Sequence, residues 1–206
     1  MNWGALLAAL VVVSGNPGFA ETRPAFDPLV VVRRIRKPET RPVVRGEEPR
    51  DEGEFMVDTS YTLMPVPGRQ PSVAFDGSNF LVVWQDWRDG DSSIYGTRVT
   101  PAGTVLDPSG FLVSQAAGSQ GLPAVAFDGA NFLVVWQVSF GDSNSDICGS
   151  RVTPAGMVID SSDVIISGAV GNQEAPAVGF DGTNFLVTWQ DFRGGLTSDI
   201  YGARVT

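Results

Sequence analysis

Pro71-Ser-Val-Ala-Phe-Asp-Gly-Ser-Asn-Phe-Leu-Val-Val-Trp-Gln85 is the stretch that decides the fold, because it occurs again with few changes at 123–137 and at 176–190. The three copies begin 52 and 53 residues apart. Internal repetition at a fixed spacing of roughly 20–50 residues is typical of solenoids, propellers and other repeat arrays. The copies therefore predict a repeat protein.

Each copy predicts four short antiparallel strands, A to D, described here for the first copy. The residues between strands A and B, Asp76–Asn79, tolerate the positive φ angles that a tight hairpin needs. Strand B places Phe, Val and Trp on one face and Leu and Val on the other, so both faces of its sheet must be covered. The strands are predicted at 72–75, 80–85, 94–100 and 104–106, the last with a further segment at 111–114.

A sheet that is apolar on both faces is stable between two neighbouring sheets, which is the arrangement of β-propeller blades. A helical solenoid would show a 3.6-residue periodicity, which these repeats lack, and a stacked β-solenoid would need shorter coils. We therefore predict an all-β repeat protein of four-stranded antiparallel β-propeller-type blades at 71–122, 123–175 and 176–206.

The third blade is expected to be truncated. Thr206 aligns with Thr100 and Thr153, each of which is followed by Pro-Ala-Gly and a fourth strand. Propellers close with four to eight blades, so we expect a fragment of a longer protein with about two and a half to three blades; completion of the ring by partners is the alternative. The open sheet faces of such an arc predict self-association.

Residues 1–20 predict a secretory signal peptide. The apolar run at 5–13 is too short to span a bilayer, and Gly18-Phe-Ala20 places small residues before a cleavage point. Residues 21–57, with five prolines among mixed charges, predict an extended linker, and 58–206 hold the repeats. We expect a secreted, extracellular or cell-surface protein without a membrane span; the periplasm is the alternative.

Charge and composition exclude several functions. Beyond Val57 the chain has six basic and fifteen acidic residues, which repel a phosphate backbone and exclude nucleic-acid binding. The sequence has no histidine, so Ser-His-Asp and Cys-His catalysis and His-ligated zinc are excluded. Cys148, the single cysteine, has Tyr95 and Tyr201 as its repeat equivalents, which predicts a packing role. We predict that the chain is not an enzyme.

The third copy, Val178–Thr206, reads V-G-F-D-G-T-N-F-L-V-T-W-Q-D-F-R and then D-I-Y-G-A-R-V-T. It resembles the repeats of secreted proteins common in myxobacteria and similar bacteria, V-A-F-D-G-T-N-F-L-V-V-W-x-D-x-R followed by D-I-Y-G-A-R-V-x-P-A-G-x-V-L-D. The resemblance covers about 71–206. It implies an exported, propeller-like protein and brings no defined catalytic residues.

The connections between strands differ in variability at the two ends of the predicted blades. The A–B and C–D turns share one end and are nearly identical among the copies. Varied loops on a rigid scaffold make the opposite end the expected binding surface, although drift in unconstrained loops would give the same pattern. That end holds the B–C loops at 86–93, 138–146 and 191–199 and the D–A loops at 115–122 and 168–175.

Four residues in these loops are candidate ligand contacts. Trp87 and Phe192 occupy equivalent positions, directly after Asp86 and Asp191. An aromatic ring beside polar side chains suits the stacking of a sugar ring. Packing against the next blade is the alternative for the rings, and an ion pair with the arginine two residues later is the alternative for the carboxylates.

Asp142-Ser-Asn144-Ser-Asp146 spaces three oxygen ligands alternately, as calcium loops do. Asp89 and Asp91 are the corresponding candidates in the first copy. The glycine and the distal glutamate of an EF-hand are absent, so polar loop residues in water are the alternative. Calcium is the one cofactor that the sequence suggests.

Together these patterns predict an exported binding or adhesion module that recognises carbohydrate or a protein surface partner through its variable loops. One alternative is the non-catalytic, substrate-recruiting part of a larger secreted hydrolase. The other is a structural spacer at the cell surface.

Overall fold

The computed structural model describes Val57 and residues 68–114, 117–141 and 144–206. The predicted signal peptide at 1–20 and the linker at 21–57, apart from Val57, lie outside the described residues. The described residues belong to one compact unit, Glu48–Thr206. No helix in the described ranges is long and apolar enough to cross a membrane.

The described residues form eleven β-strands in three antiparallel sheets. Blade 1 has the order β1-β2-β3-β4, blade 2 the order β5-β6-β7-β8, and blade 3 the order β11-β10-β9. The strands are β1 Arg69–Phe75, β2 Phe80–Asp86, β3 Ser93–Val99, β4 Phe111–Ser114, β5 Ser119–Phe127, β6 Phe132–Ser139, β7 Ser145–Val152, β8 Val164–Ser167, β9 Gln173–Phe180, β10 Phe185–Asp191 and β11 Asp199–Val205.

This architecture confirms the all-β fold and the four-stranded antiparallel blades. One strand assignment needs correction. Thr104–Leu106 makes only the isolated bridge between Val99 and Val105. The further segment predicted at 111–114 is confirmed as the fourth strand, Phe111–Ser114, which pairs with β3. The Pro-Ala-Gly turn and Asp107-Pro108 break up the intervening chain, so this segment is too irregular to form a continuous ladder.

The A–B turns are built by the repeated Asp-Gly-x-Asn sequence. Asp76 Oδ1 accepts hydrogen bonds from the backbone N–H groups of Ser78 and Asn79, both at 2.7 Å, and Gly77 has a φ of 96°. The same bonds occur at Asp128 and at Asp181. These Asx turns fix the register of the first hairpin in every blade.

The C–D loops of blades 1 and 2 are each held by an ion pair within the blade. Arg98 donates to Asp107 through Nε at 2.9 Å and Nη2 at 2.8 Å, and Arg151 pairs with Asp160 in the same way. A Cβ on Gly156 in blade 2 would lie 3.0 Å from Arg98 Nε. Arg98 therefore orders its own loop and also packs on the turn of the next blade.

Each sheet has two apolar faces, named after strand B. The Leu face carries Leu81, Leu133 or Leu186, and the Trp face carries Trp84, Trp136 or Trp189. Strand residues alternate between these faces, as they do in any strand.

The blades stack with the Leu face of one against the Trp face of the next. One buried core joins Leu81, Val83 and Ile94 of blade 1 to Phe132 and Trp136 of blade 2, among others. A second core joins the Leu face of blade 2 to the Trp face of blade 3; its buried members are Leu133, Val135, Ile147, Phe185, Val187 and Trp189. Blade 2 thus buries both faces, as the propeller interpretation requires.

The innermost strands carry an unexpected irregularity. β5 contacts both β1 and β9, so the three first strands lie side by side. Each has a β-bulge at an X-Pro step, where Gln70, Leu122 and Ala175 have φ angles of 55°, 53° and 52°. A residue before proline normally prefers extended backbone, so this left-handed conformation is strained. It is maintained identically in all three blades.

Candidate functional site

The B–C and D–A loops meet at one end of the blades, here called the variable-loop face. One cleft at this end is lined by Asp91 of the first B–C loop, Gly118 of the first D–A loop and Phe140 of the second B–C loop. The Asx turns and the C–D loops lie at the opposite ends of the strands. The grouping of variable loops expected from the strand order is therefore present.

The B–C loop of blade 1 is closed by a cluster of four side chains. Asp86 Oδ2 accepts a hydrogen bond from Trp84 Nε1 at 3.0 Å, and Asp86 Oδ1 accepts one from the Arg88 backbone at 2.9 Å. Arg88 also forms an ion pair with Asp86. Its guanidinium carbon lies 4.1 Å from the centre of the Tyr95 ring, a distance that allows a cation–π interaction.

Blade 3 repeats this cluster. Asp191 accepts hydrogen bonds from Trp189 Nε1 at 2.9 Å and from Arg193 Nε and Nη2 at 2.8 and 2.6 Å. The Arg193 guanidinium carbon lies 4.0 Å from the centre of the Tyr201 ring. The same four residue types therefore build the same loop closure twice.

The two carboxylates of these clusters are already saturated with protein donors. Burial opposes ionisation of Asp86, but hydrogen bonds from Arg88 and Trp84 outweigh it, and the pKa of Asp86 lies below its ordinary value. The hydrogen bond from Arg193 likewise lowers the pKa of Asp191 against the effect of burial. Both side chains are buried, so this geometry favours the ion-pair alternative over ligand contact; their ligand-binding role stays a prediction.

Blade 2 replaces three members of the cluster together. Val138, Phe140 and Cys148 stand where the other blades have Asp, Arg and Tyr. Trp136 Nε1 is consequently buried without a hydrogen-bond partner among the described residues. Burial, with the nearby charges of Asp163 and Asp146, raises the pKa of the Cys148 thiol to about 12. The thiol is protonated at neutral pH and lies within the core that joins blades 1 and 2, which fits the packing role expected for it.

The two candidate aromatic contacts are half-buried. The Arg69 guanidinium carbon lies 5.4 Å from the centre of the Trp87 ring. The Phe192 backbone N–H donates to the Asn172 carbonyl at 2.8 Å, which ties the B–C loop of blade 3 to its D–A loop. Trp87 lies in the B–C loop of blade 1 and Phe192 in the B–C loop of blade 3. The ligand-binding role of both residues stays a prediction.

The equivalent position in blade 2 is Ser139, and two clefts open beside this small residue. The first, the amide cleft, has a volume of about 210 Å³ and lies between blades 1 and 2. Its polar side chains are amides and hydroxyls. The cleft is lined by Gln70, Gln85, Ser119, Gln120, Gly121, Leu122, Gln137 and Ser139.

The amide cleft is fixed by contacts between the two blades. Gln70 Oε1 accepts a hydrogen bond from the strained Leu122 N–H at 2.8 Å. A Cβ on Gly121 would lie 2.9 Å from Gln85 Nε2, so glycine lets that amide approach the bulge. Gln137 Oε1 accepts a hydrogen bond from Ala175 N–H of blade 3 at 3.4 Å. The strained bulges thus position the amides of the cleft.

The second cleft, the loop cleft, adjoins the first through Ser119 and Ser139 and has a volume of about 320 Å³. Phe140, in the position that holds arginine in the other blades, is 56% exposed and lines its wall. Asp91 contributes a carboxylate. The two clefts together offer amides, hydroxyls, one carboxylate and one apolar ring.

The candidate calcium ligands are only partly described, because Asp142 lies outside the described residues. Asn144 Nδ2 lies 3.4 Å from Asp146 Oδ1, and burial raises the pKa of Asp146. Asp89 accepts a hydrogen bond from the Tyr95 hydroxyl. Within 68–114, 117–141 and 144–206 no group of three or more His, Cys, Asp or Glu could hold a metal ion. Calcium binding stays a prediction.

Sequence reasoning chose the aromatic positions of copies 1 and 3 and missed the clefts beside copy 2. The sequence signal for these clefts is that copy 2 has Ser139-Phe140 where copy 1 has Trp-Arg and copy 3 has Phe-Arg. A second signal is the glutamine that follows the strand-B tryptophan in every copy. The two clefts therefore lie where copy 2 departs from the sequence shared by the other copies.

No protein-family model matches the chain, and neither does any curated protein. Among solved structures, an exo-1,5-alpha-L-arabinanase from a bovine ruminal metagenomic library is similar with a TM-score of 0.45 and 12% identity, over 66% of this chain and 53% of that chain. A thermostable family-43 glycoside hydrolase gives 0.47 and 14%, over 66% and 50%. A GH43 endo-arabinanase from Bacillus licheniformis gives 0.42 and 11%, over 66% and 52%. This chain spans about half the length of these structures.

Proposed function

We propose that the chain is an exported, non-catalytic β-propeller-type module that binds carbohydrate at the amide cleft and the loop cleft. The observation that carries this proposal is the pairing of glutamine amides in one cleft with the exposed Phe140 ring in the cleft that adjoins it. Amide side chains can donate to and accept from neighbouring hydroxyl groups at once. An exposed aromatic ring offers an apolar surface for the C–H face of a sugar.

The two clefts suit a hydroxyl-rich ligand better than a charged one. The amide cleft is lined by Gln85 of β2 in blade 1 and Gln137 of β6 in blade 2, and none of the described residues that line it is charged. Phe140 lines the adjoining cleft, so a sugar bound to the amides would lie next to the Phe140 ring. The net charge of −9 disfavours acidic ligands.

A non-catalytic role is supported by the state of Asp86 and Asp191. A glycosidase acid needs a raised pKa and a free carboxyl group next to its substrate. Hydrogen bonds from arginine and tryptophan instead lower the pKa of both groups and occupy their oxygens. The alternative, a substrate-recruiting part of a larger secreted hydrolase, would use the same clefts for the same ligand class.

The test is glycan-array binding followed by calorimetry with the best glycan. Ser139→Trp gives blade 2 the residue that blade 1 carries at this position and fills both clefts, so we expect at least about a tenfold loss of affinity, as for a hot-spot change. Phe140→Ala is expected to weaken binding by a similar factor through loss of ring contact. Met157→Ala, an exposed residue in the C–D loop at the opposite end, serves as the matched control.

Three results would contradict the proposal. They are the absence of any glycan ligand, unchanged affinity in Ser139→Trp with an unchanged melting temperature, and release of reducing sugars by the purified chain.

A further inference from the structure

A series of hydrogen bonds between blades 1 and 2, here called the Gln120 relay, ends on a carboxylate that lines neither the amide cleft nor the loop cleft. The Ile94 backbone N–H donates to Gln120 Oε1 at 3.3 Å, and Gln120 Nε2 donates to Ser114 Oγ at 2.9 Å. Ser114 Oγ donates to Asp163 Oδ2 at 2.6 Å. Ile94 and Ser114 belong to blade 1, whereas Gln120 and Asp163 belong to blade 2. The relay therefore crosses the junction between the blades at every step.

The charge of Asp163 sets the direction of every bond in the relay. An ionised carboxylate can only accept, so the Ser114 hydroxyl donates to Asp163 and offers its lone pairs to Gln120. Gln120 Nε2 then donates to Ser114, which leaves Oε1 for the Ile94 N–H. A bond to a charged group is stronger than a neutral one, and it polarises the bonds behind it. Gln120 and Ser114 are buried, so the protein environment fixes their orientation.

Gln120 holds the wall that the two clefts share. It lines the amide cleft itself, and its chain neighbour Ser119 lines both clefts. The Gln120 backbone N–H donates to the Ser92 carbonyl at 2.9 Å. Ser92 follows Asp91, which lines the loop cleft. A change in the orientation of Gln120 would therefore act on both clefts.

Asp163 lies where it can respond to the solution. It lines a third cleft of about 430 Å³, the rim cleft, between residues 112–114 of blade 1 and residues 160–163 of blade 2. Its side chain is half-buried. Burial raises the pKa of Asp163 above its ordinary value, and the hydrogen bond from Ser114 offsets this effect only in part. The equivalent residue of blade 1 is Gly110, so this carboxylate is a feature of copy 2, as Ser139 and Phe140 are.

The other titratable groups around Asp163 are in different states. Asp160, in the same loop, pairs with Arg151, which lowers the pKa of Asp160. On β7, burial and the charges of Asp163 and Asp146 raise the pKa of the Cys148 thiol to about 12, so Cys148 stays neutral. The facing strand of blade 1, β4, has no titratable side chain. Since burial raises the pKa of Asp146 as well, the decisive variant is one that changes Asp163 alone.

We infer that Asp163 is a positioning residue for both clefts, and that its ionised form, acting through Ser114 and Gln120, holds their shared wall in the state that binds ligand. This inference rests on the proposed function and adds a regulation by pH to it. Ligand affinity falls as the pH drops and Asp163 takes up a proton. The contribution of Asp163 to stability moves the other way, because a buried acid with a raised pKa stabilises the fold at low pH and less as the pH rises. The opposite signs separate regulation of binding from a loss of folding.

The relay is tested first without a ligand, by an NMR titration of the chain from pH 7 to pH 3.5. We expect the Gln120 side-chain NH₂ signals and the Ser119 backbone N–H signal to shift with the same midpoint as the Asp163 carboxyl signal, above 3.8. Ser114→Ala interrupts the relay, so in that variant the Gln120 signals should no longer follow Asp163. Gln120 signals that do not follow Asp163 in the original chain, or that still follow it in Ser114→Ala, would overturn the inference.

The effect on binding is measured by calorimetry with the glycan selected on the array, between pH 7 and pH 4.5. Asp163→Asn keeps the shape and removes the charge, so we expect an affinity about three- to tenfold lower at pH 7 and little further change at pH 4.5. The original chain should lose affinity by a similar factor over this range. Asp160→Asn removes a carboxylate from the same loop and the same cleft, and as the matched control it should keep the original pH profile. A melting curve checks that both variants fold.

Two outcomes of the calorimetry would contradict the inference while leaving the proposed function intact. They are an original chain that binds the glycan equally at both pH values, and an Asp163→Asn chain whose affinity and pH profile match the original. If no glycan binds at any pH, the proposed function fails, and the NMR titration still decides whether Asp163 positions the shared wall.

Discussion

At the residue scale, the most informative feature is the Trp-Asp-Arg-Tyr cluster of blades 1 and 3. A carboxylate beside an aromatic residue in a variable loop is a reasonable ligand-site signal, and the sequence alone leaves that interpretation open for Asp86 and Asp191. The structure shows that the indole N–H and the guanidinium reach these carboxylates within their own blade. Sequence spacing suggested the ion pair with arginine but could not reveal the hydrogen bond from the indole N–H, because side-chain direction depends on the local backbone.

The pH dependence of stability tests this cluster. Asp191 has a pKa below its ordinary value of 3.8, because Arg193 and Trp189 hydrogen bond to the charged form. A lowered folded-state pKa stabilises the fold above the unfolded-state pKa, and this stability is lost as the pH falls. Asp191→Asn should therefore be less stable than the original chain at pH 7, by about 1–3 kcal/mol. The difference should shrink as the pH drops below 3.8.

Urea unfolding at pH 7, 5 and 3 measures this difference. A gap between the two proteins that is constant with pH would show that the charge of Asp191 does not contribute, and that only the side-chain shape matters.

At the element scale, the hairpin turns were predictable, whereas the fourth strand was predictable only in its second segment, 111–114. Asp-Gly-x-Asn specifies its turn locally, through the Asp side chain and one positive φ, so three copies of the sequence give three copies of the turn. The fourth strand depends on pairing with β3 across a long loop, and the loop is ordered by Arg98 and Asp107. The bulges at the X-Pro steps went unforeseen, because local preference disfavours them.

A pair of glycine substitutions tests the turn. Gly129 has a φ of 99° and Gly179 has no left-handed φ, and an added Cβ would meet nothing within 4 Å at either position. Gly129→Ala should therefore cost about 1 kcal/mol or more through backbone strain alone. Gly179→Ala, the matched control in β9, should be neutral or slightly stabilising. Equal effects in denaturant unfolding would mean that the turn tolerates a right-handed conformation.

At the scale of the whole molecule, the repeat determined the stacking. Strand B is apolar on both faces in all three copies. Stacking the sheets is the simplest way to cover both faces of the middle sheet, and the structure confirms this arrangement. The binding clefts could not be predicted in the same way. They form where Ser139 and Phe140 of blade 2 lie at its junction with blade 1, and only the packed blades bring Ser139 and Gln85 together.

The central claim is that the repeats are blades stacked Leu face to Trp face, and three equivalent leucines test it most directly. Leu81 and Leu133 are 0% and 3% exposed, whereas Leu186 is 54% exposed. Each is changed to alanine, and the free energy of unfolding is measured in urea. We predict losses of about 2–5 kcal/mol for Leu81→Ala and Leu133→Ala, and less than about 1 kcal/mol for Leu186→Ala. Equal losses at all three positions, or a larger loss at Leu186, would contradict the stacking order.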